Sequence, residues 1–401
     1  MNTPLPYKHI QDLSERQLLQ VIVDKLCCVA GKYILDIYGG AAAAYSLRSL
    51  SKDTIDVVRV RRSSDNAEAD FNPTEITDGT LESWVNAGEV FTNPNITGAT
   101  GWTLGANTTY NATTEAFDLL NENGLTVRQS ESINGHTYAI TIVLDSVTSA
   151  GVKIYAGGTQ SAVISSAGTY TLNIVGGSSN DFLGINPNGA ATCSISSFSA
   201  IDITADGYVT TWYDQSGNSN SATQATAASQ PKIVDAGVLV EENGKPSIDF
   251  ASNKSLFESS VSLTQPFTRF SVRRYTDETT SKDVFLGQNI GSFSNLLDIS
   301  FITLKSHFGS YLAGDAETFT NNISYLLANG ANSETKENNS TLYTNDNGTN
   351  GLSGLRIGFS SSTTFFRSNV KGQEIIIWDS DQSANRTGIE TNINDHYNIY
   401  P

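Results

Sequence analysis

Acid–base hydrolysis by carboxyl groups needs a pair of them, one to attack or activate water and one to protonate the leaving group. Three stretches of this chain are candidates. AGDAETF places Asp315 near Glu317, Glu374 opens the strand-like segment GQEIIIWDSD, and Asp214 lies within WYDQSG. Acids on strands or in loops are ordinarily solvated surface groups, and Asp315, Glu317 and Glu374 are read as such. Asp214 precedes Gly217 by three residues, which suits an Asx-type turn whose carboxylate accepts backbone N–H groups. Trp212 and Tyr213 then alternate, one toward the core and one away from it. No residue is assigned a catalytic role.

The other chemistry-bearing types are sparse. VVRVRRSSDN carries Arg59 and Arg61 on one face, with Arg62 beside them. An anion or sugar-acid site is one reading. Pairing with Asp65, Glu68 or Asp70 is the simpler one. Trp102 and Tyr110 could stack on sugar rings, although a Trp in GWTLG also suits a core. The run TNDNG at 344–348 could donate oxygens to calcium, and a hairpin turn explains it more simply. His9, His136, His307 and His396 show no metal-ligand spacing. Cys27, Cys28 and Cys193 form no Cys-x-x-Cys pair and are read as reduced, buried small hydrophobes. There is no phosphate-binding loop, no Gly-x-Ser-x-Gly elbow and no His-Glu-x-x-His helix. No metal or cofactor is expected, and the ligand-binding residues stay unknown at this level.

The elements that would position these groups are mostly strands. Gly, Ser, Thr and Asn are abundant, and charged residues make up only 16% of the chain. Thr suits strands and Gly, Asn and Ser suit tight turns. TYAITIVLDSV at 137–147 alternates Tyr138, Ile140, Ile142 and Leu144 toward one face. Asn347-Gly348 follows a strand-like run and signals a type I′ hairpin. Two helices are expected. Residues 14–30 carry Leu18, Leu19, Ile22, Leu26 and Val29 at helical spacing, with Ser14 and Gln17 as a capping box. That apolar stripe is wide. It either packs on its own domain or anchors the chain to another subunit. A shorter C-terminal helix over 383–398 is capped by Ser383 and presents Ile389, Ile393 and Tyr397 on one face.

Net charge is −17, from 41 acidic and 24 basic residues. Such a surface repels nucleic-acid phosphates and anionic lipids, so neither nucleic acid nor membrane insertion is expected. The longest apolar runs fall far short of a membrane span. The opening MNTPLPYKHIQDL lacks the basic and apolar regions of a signal peptide. The sequons at Asn95, Asn107 and Asn111 then read as products of Asn/Thr-rich composition.

Three segments carry a family resemblance: DIYGGAAAAYSLRSL at 36–50, VVRVRRSSDNAEADF at 57–71 and GYVTTWYDQSGNSNSATQ at 207–224. Their types and order resemble the start of the catalytic domain of family 54 glycoside hydrolases, the arabinofuranosidase B group. They are closer still to non-enzymatic bacteriophage virion proteins with a concanavalin-like, laminin-G-like β-sandwich. GKPSIDFASNKSLF at 244–257 resembles a strand pair of the same sandwiches. In the family the second segment leads soon to the third. Here residues 89–206 intervene, and GWTLG with the closing SISSFSAIDI resembles a carbohydrate-binding-module jelly roll.

The resemblance implies an all-β chain in three parts. Residues 1–33 form an N-terminal helical anchor. Residues 34–88 and 207–401 form a discontinuous concanavalin A-like sandwich, closed by the short C-terminal helix. Residues 89–206 are an inserted jelly-roll module. It implies a structural or adhesion protein displayed on a virion, as a head decoration or fibre or a tail or receptor-binding protein. Its partners would be other virion proteins, sister subunits (a homotrimer above all) and a host-surface glycan. It would be made in the bacterial cytoplasm without a signal peptide. The alternative is an arabinofuranosidase-type hydrolase acting on polysaccharide. The family's catalytic surroundings are not found after residue 250, so hydrolase activity is not expected.

Overall fold

The computed structural model describes residues 33–401, except 149, 252–253, 277–281, 288–294, 301–303, 309–310, 314–319, 359–365 and 368. The expected helix at 14–30, Cys27, Cys28, His9, Asp315 and Glu317 lie outside the described residues.

The fold is all-β, a concanavalin-like sandwich carrying a second, smaller two-sheet unit. One layer of the sandwich centres on the strand Val370–Trp378. It pairs antiparallel with Ala41–Ser46 on one side and with Phe267–Tyr275 on the other. Phe267–Tyr275 pairs in turn with Asn322–Ala328, and that strand with Ser333–Glu337. The other layer runs from Glu68–Phe71 through Val58–Arg62 to Gly207–Trp212, and on through Ala222–Thr223 to Leu256–Leu263 and Leu352–Ile357. The short strand Ile248–Asp249 bonds to Lys232–Asp235 and to Val370–Trp378, so it ties the layers together.

Alternation explains both faces of the central strand. Ile375 and Ile377 point between the layers, into a core with Val58, Val60, Val209, Trp212 and Phe250. Ile376 and Trp378 point outward, where Ile389, Ile393 and Tyr397 of the helix Arg386–Tyr397 cover them. A strand buried on both faces reads as a continuous apolar run. That is why GQEIIIW shows no period of two. The helix is held by Lys336, whose Nζ lies 2.8 Å from a Glu390 carboxylate oxygen. Ser383 does not cap it. It opens a 3₁₀ turn over Ser383–Asn385, and the N-cap residue is Asn385, which makes no side-chain cap bond.

Between residues 108 and 202 the strands form two further sheets. The five-stranded one has the order Gly168–Val175, Thr137–Val147, Ala191–Asp202, Ala116–Glu122, Thr108–Asn111. The four-stranded one has the order Thr126–Ser130, Phe182–Pro187, Val152–Ala156, Thr159–Gln160. Their core contains the alternating Tyr138, Ile140, Ile142 and Leu144, all buried. Trp102 stacks on Phe198 at 5.8 Å between ring centroids and meets Phe91 and Phe117. The unit's two chain ends lie together, because Glu89 bridges to Ile201 and Val90 N–H donates to Ala200 O at 2.9 Å.

Asn347-Gly348 makes no hairpin. The strand before it, Tyr343–Asn345, pairs with Ser333–Glu337, and the strand after it, Leu352–Ile357, pairs with Leu256–Leu263. Only Gly348 of the two has positive φ, at +77°, whereas a type I′ turn needs both.

Candidate functional site

The turn around Asp214 follows the core strand Gly207–Trp212. Trp212 is fully buried and Tyr213 faces the rim. The Asp214 carboxylate accepts four hydrogen bonds. Oδ1 takes Ala44 N–H at 2.8 Å and Ser216 N–H at 2.9 Å. Oδ2 takes the Ser216 hydroxyl at 2.7 Å and Asn220 N–H at 3.0 Å. Gly217 sits at φ +88°, where a side chain would strain the turn.

Gln215 extends the arrangement. Its Nε2 donates to Ser46 O at 2.9 Å and Arg48 O at 3.0 Å. Its Oε1 accepts from Leu50 N–H at 2.8 Å and the Thr54 hydroxyl at 2.9 Å. Gln215 N–H donates to Ala44 O at 2.7 Å. Asn218 Nδ2 reaches Ala41 O, and Asn220 Nδ2 reaches Ala42 O, both at 2.8 Å. The loop is therefore a clip fastened to the strand Ala41–Ser46 and the segment after it. Two of the three motifs singled out in the sequence, 170 residues apart, meet here for a structural reason.

Beside the clip opens a cleft of about 470 Å³, lined by Asp36, Gly39, Gly40, Asp53, Thr54, Ile55, Asp56 and residues 214–217. Ile55 is 74% exposed at its rim. Asp53 pairs with the neighbouring Lys52 at 2.8 Å. Burial, then the nearby Asp70 and Glu75 charges, push the Asp56 carboxyl up from its ordinary value. A sequence reading could have found this cleft only through the density of Asp and Gly in 36–40 and 53–56.

The arginines of the second motif are all engaged. Arg59 makes a two-pronged pair with Asp70, at 2.8 and 2.7 Å. That bond holds the Asp70 carboxyl below its usual range. Tyr213 also donates to Asp70, at 2.6 Å. Arg61 bonds Gln230 and Asn66 and lies over the Tyr208 ring. Arg62 pairs with Asp65, bonds Trp84 O and lies over the Trp84 ring. No anion site forms from these three.

Glu374 is not the solvated acid expected of it. It stands in the middle of Val370–Trp378 and is fully buried. Arg48 bonds it with Nε at 2.7 Å and Nη2 at 3.0 Å, and the Ser46 hydroxyl donates at 2.9 Å. The Tyr397 hydroxyl adds a further contact at 3.2 Å. Trp102 is 8% exposed and belongs to the core of the smaller unit, so it offers no sugar platform. Tyr110 is half-buried against Phe117. Asp346 accepts Gly348 N–H at 2.8 Å. Cys193 is buried, and burial pushes its thiol up to about 12. His307 stands in the strand Leu304–Phe308. His136 pairs with Asp202 at 2.8 Å, which raises the imidazole's pKa. Among the described residues no three His, Cys, Asp or Glu side chains are placed to hold a metal ion.

No family model matches the chain, and no curated protein matches it. Among solved structures it is similar to a Trypanosoma rangeli sialidase in complex with 2,3-difluorosialic acid, at 13% identity and TM-score 0.34, over 46% of this chain and 31% of that one. It is also similar to an arabinofuranosidase complexed with arabinofuranosyl-α-1,2-xylobiose, at 13% identity and TM-score 0.34, over 64% of this chain and 61% of that one. A GH54 α-L-arabinofuranosidase soaked with a cyclic sulfate inhibitor gives 13% identity and TM-score 0.34, over 64% and 62%. The chain thus covers less than two-thirds of the length of each.

Proposed function

We propose that this chain is a non-hydrolytic glycan-binding protein displayed on a bacteriophage virion, as a head decoration or fibre or a tail or receptor-binding protein. One observation carries the binding half. The acid of the Tyr-Asp-Gln-Ser-Gly motif is spent on four hydrogen bonds that hold the clip, while the cleft beside it is lined by three further carboxylates, Asp36, Asp53 and Asp56, and by apolar surface. Its exposed carboxylates accept hydroxyl hydrogens strongly, and Ile55 offers an apolar contact for a sugar's C–H face. A cleft with a few convergent polar groups is the usual form of such a site. Its negative charge favours neutral or amino sugars over acidic ones. The virion half is supported by the likeness of residues 36–50, 57–71 and 207–224 to phage sandwich proteins. In this reading residues 1–33 join the protein to other virion proteins or to sister subunits, most simply as a homotrimer.

One observation favours the hydrolase alternative. Asp56, whose carboxyl is pushed up from its ordinary value by burial, lines the same cleft as Asp36 and Asp53, and glycoside hydrolysis requires two carboxyl groups in one site. Calorimetry with neutral, amino and acidic oligosaccharides, run beside turnover assays on arabinofuranosides and arabinoxylan, separates the two. Binding of a neutral or amino sugar that weakens in Asp56→Asn, without turnover, is expected. Turnover abolished by Asp56→Asn would establish the hydrolase instead. For the attachment, Ile22→Asp with Leu26→Asp should lower the oligomer mass in light scattering while the β-sheets stay folded. An unchanged mass and continued incorporation into particles would refute it.

A further inference from the structure

A second cavity, of about 250 Å³, sits where the segment after Ala41–Ser46, the helix Pro73–Thr77, the strand Lys245–Pro246 and the C-terminal helix meet. It shares no lining residue with the acidic cleft. In a chain with 41 acids against 24 bases, its walls carry Arg48, Lys245 and His396. Arg48 is committed to Glu374 beneath it and to Asn392, which it reaches with Nη1 and Nη2 at 3.1 Å. It therefore supplies potential rather than free donors. The Lys245 ammonium and the His396 ring nitrogens make no hydrogen bond or ion pair with any described residue. Two basic groups thus face one cavity with their hydrogen-bonding capacity unused, and the Thr74 and Thr77 side chains complete the wall.

We infer that this cavity is an oxyanion site, taking a carboxylate or sulfate group between Lys245 and His396, with Arg48 as the fixed positive charge behind it. An ammonium and an imidazolium bind an ionised oxygen by short, charge-assisted hydrogen bonds. The local charge count agrees. Glu374 neutralises Arg48, and Glu75 of the adjoining helix is turned back onto Asn72 N–H at 3.0 Å. Glu242, opposite Lys245 in the same hairpin, is paired with Arg274 and lies near Lys371, which leaves Lys245 without an ion-pair partner among the described residues. Glu390, on the same helix as His396, is paired with Lys336.

The site is coupled to protons. Burial first, then Arg48, lower His396 to about 4; Glu374 pulls the other way, and Lys245 adds a smaller downward push. An anion seated beside the ring supplies the missing countercharge and favours the imidazolium. Binding must then tighten on acidification, since ligand and proton bind cooperatively. If the bound complex titrates near pH 6, affinity rises about tenfold between pH 7 and pH 5.

The test follows the histidine ring resonances of the full chain by NMR, with His396→Asn assigning the relevant one. Inorganic sulfate, D-glucuronate and D-glucose are titrated at pH 7 and pH 5. Saturable shifts of the His396 signal with sulfate or glucuronate, about tenfold tighter at pH 5, are expected. Lys245→Met should weaken binding at least tenfold, and Lys245→Arg should retain it. Glucuronate binding tenfold or more above sulfate makes the ligand an acidic sugar, and equal binding makes it a free oxyanion. The inference fails if neither anion moves the His396 signal, if glucose moves it as much as glucuronate, or if Lys245→Met binds like the unaltered protein while keeping its melting curve.

Discussion

Removing the Asp214 carboxylate should loosen the clip by an amount set by its four donors. In Asp214→Ala the buried Ala44 N–H loses its partner, while Ser216 N–H and Asn220 N–H, nearer the rim, are partly recovered by water. A buried donor left unmet costs about 1–3 kcal/mol, and a hydrogen bond to a charged group contributes about 1.5–3 kcal/mol. Two to three such losses, discounted for the exposed side, give about 3–4 kcal/mol. Asp214→Asn keeps one carbonyl oxygen for Ala44 and Ser216 and replaces the other with a donor, which faces the Asn220 N–H and Ser216 hydroxyl. Its cost should be about 2 kcal/mol. Urea unfolding followed by tryptophan fluorescence measures the totals, and hydrogen exchange at Ala44 reads the local loss of protection. Two results would sink the reasoning: a cost below 1 kcal/mol for Asp214→Ala, or unchanged exchange at Ala44. Either would mean that the backbone of the strand holds its geometry without the clip.

Glu374→Gln should cost about 3 kcal/mol in the same unfolding assay, since it leaves the Arg48 guanidinium without its buried counter-ion, and Arg48→Met with Glu374→Met should recover at least half of that. A double variant no better than the single would show that the surrounding hydrogen bonds, not the ion pair, set the cost. His396 and His136 should act on stability in opposite directions with pH. His396 is lowered to about 4, so below pH 6.5 the unfolded chain takes the proton first. Stability then falls by on the order of 3 kcal/mol as pH drops from 6.5 through 4, and His396→Asn should flatten that limb. His136 is raised by its bond to Asp202. Its contribution is full below pH 6.5 and disappears as pH rises through its folded pKa, a limb that His136→Asn should remove. Joining Gly88 to Gly207 should leave a soluble sandwich, and residues 89–206 should unfold cooperatively by themselves, because the two cores share no described residue. An insoluble sandwich with an unfolded excised segment would show one common core.

The local part of the site was legible in the sequence. Asp214 three residues before Gly217 announced a turn with a carboxylate inside it, and the structure has that turn. Nothing local could say that the same carboxylate reaches Ala44. That bond depends on how strands distant in sequence are stacked. Glu374 was misread although a signal was present. An uninterrupted Ile375–Trp378 run means that both faces of the strand are covered, so a charge in the same strand had to be buried and paired. Asn347-Gly348 was misread for a different reason. Its dipeptide has the right local preference, but the strands on either side found better partners elsewhere, and strand pairing overrides turn preference. The cavity at Lys245 and His396 was invisible because four separate segments build it.

Among the described residues, the strand Ala41–Ser46 has a neighbouring strand on one side only, Val370–Trp378. On its other side the carbonyls of Ala41, Ala42, Ala44 and Ser46 and the N–H of Ala44 are taken up by Asp214, Gln215, Asn218 and Asn220. A bare strand border is a template on which another chain can add itself. Here side chains and a turn, rather than a strand, satisfy that border, and they offer no repeating ladder for a newcomer to continue. The molecule can therefore be crowded against its own copies without polymerising through this border. Substitutions in the turn should show themselves first as self-association on storage, at a protein concentration where the unaltered chain stays dispersed.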